Sequence, residues 1–190
     1  LQYRDGLKKS QVLPVALNLD GIIGSSAPLK ACFDLLAQAA GSDVNVLLTG
    51  ETGTGKELFT QAIHQNSRRS KHNFVVVDCA ALPETLAESV LFGHKKGAFT
   101  NADSEHEGMV LQAHKGTLFL DEVGELPFSI QKVFLRVLEG QRFRPVGSRQ
   151  EIRSDFRLIT ATNRNLDQWI LDGRFRKDLL YRLRALIINM

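Results

Sequence analysis

Val44-Asn45-Val46-Leu47-Leu48-Thr49-Gly50-Glu51-Thr52-Gly53-Thr54-Gly55-Lys56-Glu57 runs from a short apolar stretch through a glycine-rich turn into a helical pattern. The run 44–49 predicts a strand buried on both faces, as in a parallel sheet. A helix is predicted over 56–66. The glycines between them let successive backbone N–H groups turn inward around phosphate oxygens. A helix opening near Lys56 aims its positive end at the same anion, and the Lys56 ammonium adds a full charge. Gly50, Glu51, Thr52, Gly53, Thr54, Gly55, Lys56 and Glu57 are therefore the candidate phosphate site. Gly-x4-Gly-Lys alone is a weak signal, and its place between a buried strand and a helix gives it weight. Glu57 stands where Ser or Thr would offer a hydroxyl to magnesium. A carboxylate there suits a helix's first turn, so magnesium must lean on phosphate oxygens, water and other acids.

Those acids follow the next hydrophobic strand signal. Thr117-Leu118-Phe119-Leu120-Asp121-Glu122 ends an apolar run with two carboxylates. Ligands of parallel sheets gather at the carboxyl ends of strands, which places Asp121 and Glu122 beside the phosphate turn. Asp121 suits the magnesium shell, and Glu122 suits a base that polarises an attacking water. Thr160-Ala161-Thr162-Asn163 ends a further strand, and Asn163 is the candidate sensor of the terminal phosphate; an ordinary Asn turn is the competing reading.

Working outward, Pro28 opens a helical stretch with Leu29, Phe33, Leu36 and Ala40 at helical spacing, stopped by Gly41. Strands are predicted at 74–77, 117–120, 157–161 and 185–188, with helical patterns at 129–139 and 166–171. Strands alternating with helices predict an α/β sandwich around a mostly parallel sheet. Residues 1–19 read as a linker, and 20–190 as one domain. Because the chain stops on an apparent strand, it is expected to be part of something longer.

At 190 residues, 43% hydrophobic and 24% charged, the chain has the composition of a globular domain. No apolar run approaches the roughly 20 residues that cross a bilayer, and residues 1–18 lack an export signal. Cys32 and Cys79 have no metal-type spacing and read as buried reduced thiols, which points to the cytoplasm. The net charge of +3 hides an asymmetry: residues 130–190 carry 13 Lys and Arg against 6 Asp and Glu. These arginines form no basic run with interleaved aromatics, so solvated faces, subunit contacts and phosphate contacts outweigh a DNA groove.

Together these motifs resemble the AAA+ central domain of bacterial sigma-54-dependent transcription activators, over about nine-tenths of the chain. The most specific element is Leu91-Phe92-Gly93-His94-Lys95-Lys96-Gly97-Ala98-Phe99-Thr100-Asn101-Ala102. It is similar to the family's Gly-Ala-Phe-Thr-Gly-Ala loop, an insertion in the helix after the second strand that contacts sigma-54. Asp78-Cys79-Ala80-Ala81-Leu82-Pro83, Gly116 to Val123, Arg136 to Glu139, Ala161 to Arg164 and Gly173 to Leu183 also fit the family. Glu57 belongs to the family's own form of the phosphate turn.

The resemblance implies a P-loop AAA+ three-layer sandwich with a five-stranded sheet, a homo-oligomeric ring, usually a hexamer, and ATP with Mg2+ as cofactors. It implies that Ile22, Ile23 and Gly24 line an adenine pocket. Arg176 and Arg182 align with arginine fingers that reach a neighbouring subunit's terminal phosphate. Gly97, Ala98, Phe99, Thr100, Asn101 and Ala102 would form the loop that engages sigma-54 RNA polymerase holoenzyme. Asn101 replaces the loop's second glycine. Asp78 stands where many members carry an asparagine that hydrogen-bonds the catalytic glutamate; two carboxylates would make that bond only by sharing a proton. The family's helical lid lies beyond this chain, as does the C-terminal domain through which DNA binding is expected. The implied function is ATP-driven remodelling of sigma-54 polymerase at promoters. The alternatives are a nucleotide-controlled assembly module with little turnover, and a related regulator acting on another partner.

Overall fold

The computed structural model describes residues 17–24, 26–100 and 102–190. Its elements run α1 (Ala27–Ala40), β1 (Val46–Thr49), α2 (Lys56–Gln65), β2 (Phe74–Asp78), α3 (Ala87–Phe92), α4 (Met109–Gln112), β3 (Thr117–Asp121), α5 (Phe128–Gly140), β4 (Arg142–Phe143), β5 (Ile152–Arg153), β6 (Arg157–Thr162), α6 (Leu166–Leu171), α7 (Lys177–Leu183) and β7 (Leu186–Asn189). Five strands form one sheet in the order β2-β3-β6-β1-β7, every neighbouring pair parallel. The antiparallel pairing lies outside it, in the β4–β5 hairpin.

The strands form where the sequence is apolar without alternation, because helices cover both faces of the sheet. One face buries Leu47, Val77, Leu118, Leu120 and Leu158 with Phe134 and Val137 of α5 and Leu179, Leu180 and Leu183 of α7. The other buries Val46, Leu48, Phe119, Ile159 and Ile188 with Leu36 of α1 and Phe59 and Ile63 of α2. Successive strand residues thus feed opposite cores. Each predicted strand is present with its ends moved by one or two residues. β1 starts at Val46, because Val44 is exposed.

Other local signals act as expected. Ser26 caps α1, its Oγ accepting the Leu29 N–H at 3.4 Å, which satisfies one orphan donor of the first turn. Arg157 is fully buried at the start of β6. Its Nη2 donates to Ala39 O at 2.7 Å, where the helix carbonyls favour a cation; burial pushes its pKa down to about 10.

The predicted linker ends too late. Leu17 and Leu19 pack against the α1–α2 core. Asn18 and Asn66 exchange two hydrogen bonds of 2.8 Å. These two leucines gain by burying apolar surface on that core, so residues 17–19 pack on the folded unit; residues 1–16 lie outside the described residues. The helix α7 had no separate forecast from periodicity. Both cysteines are free and buried, and among the described residues no helix is long and apolar enough to cross a membrane.

Candidate functional site

The sheet order decides which residues meet. β6 lies between β1, which feeds the glycine-rich turn, and β3, which ends in the two acids. All three strands are parallel, so their carboxyl ends open on one edge.

The turn itself is tightly organised. Gly53 and Gly55 have φ of +85° and +87°, a region open to glycine at little cost. At Gly50, a Cβ would sit 2.9 Å from Met190 O and 3.1 Å from Thr54 Oγ1, so Met190, just after β7, leaves no room for a side chain. Thr54 Oγ1 donates to Glu51 O at 2.9 Å. The α2 N-terminus at Gly55 has no side-chain cap, leaving its first-turn amides to an outside acceptor. Lys56 is 7% exposed, and its Nζ donates to Gly50 O at 3.0 Å and Glu51 O at 2.9 Å. The ammonium is therefore held within the turn.

At the end of β3 the chain reverses. Glu122 adopts φ +46°, ψ +50°, an unusual left-handed conformation for a residue with a side chain. Alternation would have sent Asp121 and Glu122 to opposite faces; the reversal turns Glu122 back towards β6. Its backbone N–H donates to Asp121 Oδ1 at 3.0 Å, and its Oε2 accepts the Asn163 N–H at 3.1 Å. Asn163 Nδ2 in turn donates to Thr52 Oγ1 at 3.0 Å. One residue at the end of β6 thus bonds both to the glycine-rich turn and to the acid.

Negative charge is concentrated here. The buried Cys79 thiol has its pKa raised by desolvation first, then by Asp78, Asp121, Glu122 and Glu125. Asp78 is paired in register with Asp121, and its Oδ1 accepts the Ala80 N–H at 2.9 Å. In the described bonds Glu122 faces Asn163 rather than Asp78. Among the described residues no group of three His, Cys, Asp or Glu could hold a metal unaided. Asp121, at the end of β3 and in register with Asp78, is of the donor type that Mg2+ takes, one or two carboxylates beside waters and substrate phosphates.

The other predicted residues make no described bond to the turn or the acids. Gly24 has φ +154°, and a Cβ there would meet Leu29 Cδ2. Ile22 packs on the α1–α2 core, whereas Ile23 is 96% exposed. Arg176 precedes α7 and Arg182 lies in its last turn. The Arg176 guanidinium grips Asp178, Nη2 to Oδ2 at 2.6 Å and Nε to Oδ1 at 3.0 Å, which holds the Asp178 carboxyl below its usual range. Neither arginine bonds to this chain's own turn or acids among the described contacts.

The loop after α3 is a closed structure. The His94 and His106 backbones bridge antiparallel across its neck, and His94 also bridges Val146 next to the β4–β5 hairpin. Gly97 N–H donates to Ala102 O at 2.8 Å, and Ala102 N–H to Phe99 O at 3.0 Å. Phe99 is exposed on one side, and its ring meets the His94 imidazole at 4.9 Å between centroids. Ser89 Oγ fixes that imidazole through Nδ1 at 2.7 Å. Asn101 lies outside the described residues. The loop leaves α3 and returns into α4, so it interrupts a helical connection. Ser89 had been singled out by no sequence signal, and Thr52 and His94 stood in quoted motifs without a role of their own.

A parallel sheet in this order, with a glycine-rich strand-to-helix turn facing two acids, defines a P-loop NTPase of the AAA+ class. Residues 22–189 match the model of the sigma-54 interaction domain. The chain belongs to that family. It is 50% identical over 162 residues to the transcriptional regulator VasH of Vibrio cholerae, covering 85% of this chain and 31% of that protein. To the anaerobic nitric oxide reductase transcription regulator NorR of Klebsiella pneumoniae it is 49% identical over 190 residues, covering 97% and 37%. The crystal structure of NtrX from Brucella abortus in complex with ADP superposes with a TM-score of 0.82 at 33% identity, covering 88% and 37%. The chain spans roughly a third of the length of these relatives.

Proposed function

We propose that this domain hydrolyses ATP in a ring of identical copies and uses the energy, through the loop 97–102, to remodel sigma-54 RNA polymerase holoenzyme. The observation that carries the reading is the pair of hydrogen bonds that Asn163 donates, from its side chain to Thr52 and from its backbone to Glu122. It puts a polar side chain between the phosphate turn and a candidate general base.

In this reading the triphosphate lies over the amides of residues 50–57, with Lys56 turning its ammonium from the loop carbonyls to phosphate oxygens. Ile22, Ile23 and Gly24 hold the adenine. Asp121 would hold Mg2+, which supplies Lewis-acid stabilisation of phosphate charge when bound. Glu122 accepts a proton from water as the water oxygen bonds to the γ-phosphorus. The bond from that phosphorus to the bridging oxygen breaks, and ADP leaves with the electron pair. Arg176 and Arg182 of a neighbouring copy meet the charge that builds on the γ-phosphoryl oxygens. Arg176 must first leave Asp178. Asn163 senses whether the γ-phosphate is present, and Glu122 relays that state towards the loop, with Asp78 as a second acceptor or donor in the switch.

The loop test is a pull-down of sigma-54 with ATP or a transition-state mimic. The protein should retain sigma-54 with the mimic, and Phe99→Ala should lose it by about tenfold or more, the scale of truncating one interface anchor. Equal retention by Phe99→Ala would discard the loop assignment.

A further inference from the structure

The carboxamide of Gln131 joins the acid-bearing segment to the segment that carries Arg176. Gln131 lies in the first turn of α5 and is fully buried. Its Nε2 donates to Leu126 O at 2.9 Å and to Arg174 O at 3.1 Å. Its Oε1 accepts the Arg176 N–H at 2.9 Å. Leu126 closes the short turn that starts at Glu122, and Arg176 is the residue from which α7 begins. One side chain therefore uses both its donors and its acceptor on two backbone segments that share no strand or helix.

Only an amide matches this pattern. A glutamate in the same place could accept from Arg176 but not donate to the two carbonyls. A methionine of similar size could do neither, and each buried backbone group would be left without its partner. The neighbouring residues have anchors of their own, with Phe175 and Leu179 buried in the core. Arg174 and Phe175 donate to Trp169 O at 2.8 and 3.1 Å, and the Arg174 guanidinium lies 3.9 Å from the Trp169 ring centroid. Those contacts fix residues 174 and 175. The backbone amide of Arg176 is bonded to Gln131.

We infer that Gln131 is the positioning residue for Arg176, setting where its guanidinium emerges at the subunit edge and tying that point to the turn after Glu122. The inference rests on the proposed role of Arg176 as a finger supplied to a neighbouring copy. An amide buried only for stability would act on folding alone. A positioning amide acts on a site in the next subunit, and subunit mixing separates the two.

The test uses Gln131→Met, Arg176→Ala and Lys56→Ala proteins, each alone and in pairwise mixed rings, with ATP turnover as the readout. Melting and sizing report folding and assembly. Gln131→Met alone should lose kcat on the order of 100-fold, the scale of a misplaced catalytic group, with KM for ATP little changed. Mixing it with Lys56→Ala should restore turnover, because the Lys56→Ala copy brings a well-placed Arg176 to an intact phosphate turn and Glu122. Rescue of Arg176→Ala but not of Gln131→Met overturns the inference, since Gln131 would then act on its own subunit's acids. Failure to rescue either variant in rings that form overturns the finger reading itself, and the inference with it. Should Gln131→Met melt early, Gln131→Leu, which also removes the acceptor for the Arg176 N–H, carries the same comparison below its melting temperature. Wild-type turnover in that variant would equally overturn the inference.

Discussion

Glu122→Gln is expected to abolish ATP turnover, by roughly 10²–10⁴-fold if Glu122 is the general base, while Mg-ATP binding stays within a few-fold of wild type. Glutamine keeps the length and the Oε acceptor that takes the Asn163 N–H, so the edge of the sheet should hold its shape. What it loses is the capacity to take a proton from water. The left-handed backbone at Glu122 costs glutamine what it costs glutamate, and the variant should melt as wild type does. Steady-state phosphate release and nucleotide titration on the same preparation measure both halves. Unchanged turnover would remove Glu122 from the role; lost binding would make it a ligand rather than a base.

Lys56→Ala is the second large effect, and it falls on binding. Lys56 carries the only side-chain charge shown bonding to the backbone of the phosphate turn among the described residues. A nearly buried ammonium close to several phosphate oxygens forms charge-assisted bonds with little solvent screening. Its removal should weaken ATP by about 100-fold or more, at least ~2.7 kcal/mol. Titration of a fluorescent nucleotide would measure it, and an affinity within a few-fold of wild type would place the triphosphate elsewhere.

The parts of the site legible in the sequence are those that local chemistry dictates. Gly50 to Lys56 could be read because glycine spacing, a preceding apolar run and a following helix each mark the turn independently. Asp121 and Glu122 could be read as acids at a strand's end. The strand ends were less legible, since exposure at Val44 depends on what tertiary packing leaves uncovered. How Glu122 returns to the turn was not legible at all: it needs a left-handed residue with no glycine to announce it. The Asn163 bridge to Thr52 arises from strand order, a long-range property. Gln131 gave no signal, because one glutamine in a helical stretch reads as a solvent-facing side chain until its three backbone partners are placed. In the same way, α7 spans only seven residues, too few turns for periodicity to stand apart from its neighbours.

The central claim is that one anion site is shared by the turn 50–56, Asp121 and Glu122. A crystal structure with a slowly hydrolysed ATP analogue and Mg2+ tests it most directly. The account predicts the triphosphate over the α2 N-terminus, Lys56 Nζ on the phosphates, and the metal about 2.1 Å from its oxygen ligands, with Asp121 in its coordination shell and Glu122 facing a water near the γ-phosphorus. A nucleotide bound elsewhere, or a metal and γ-phosphate remote from both acids, would contradict it.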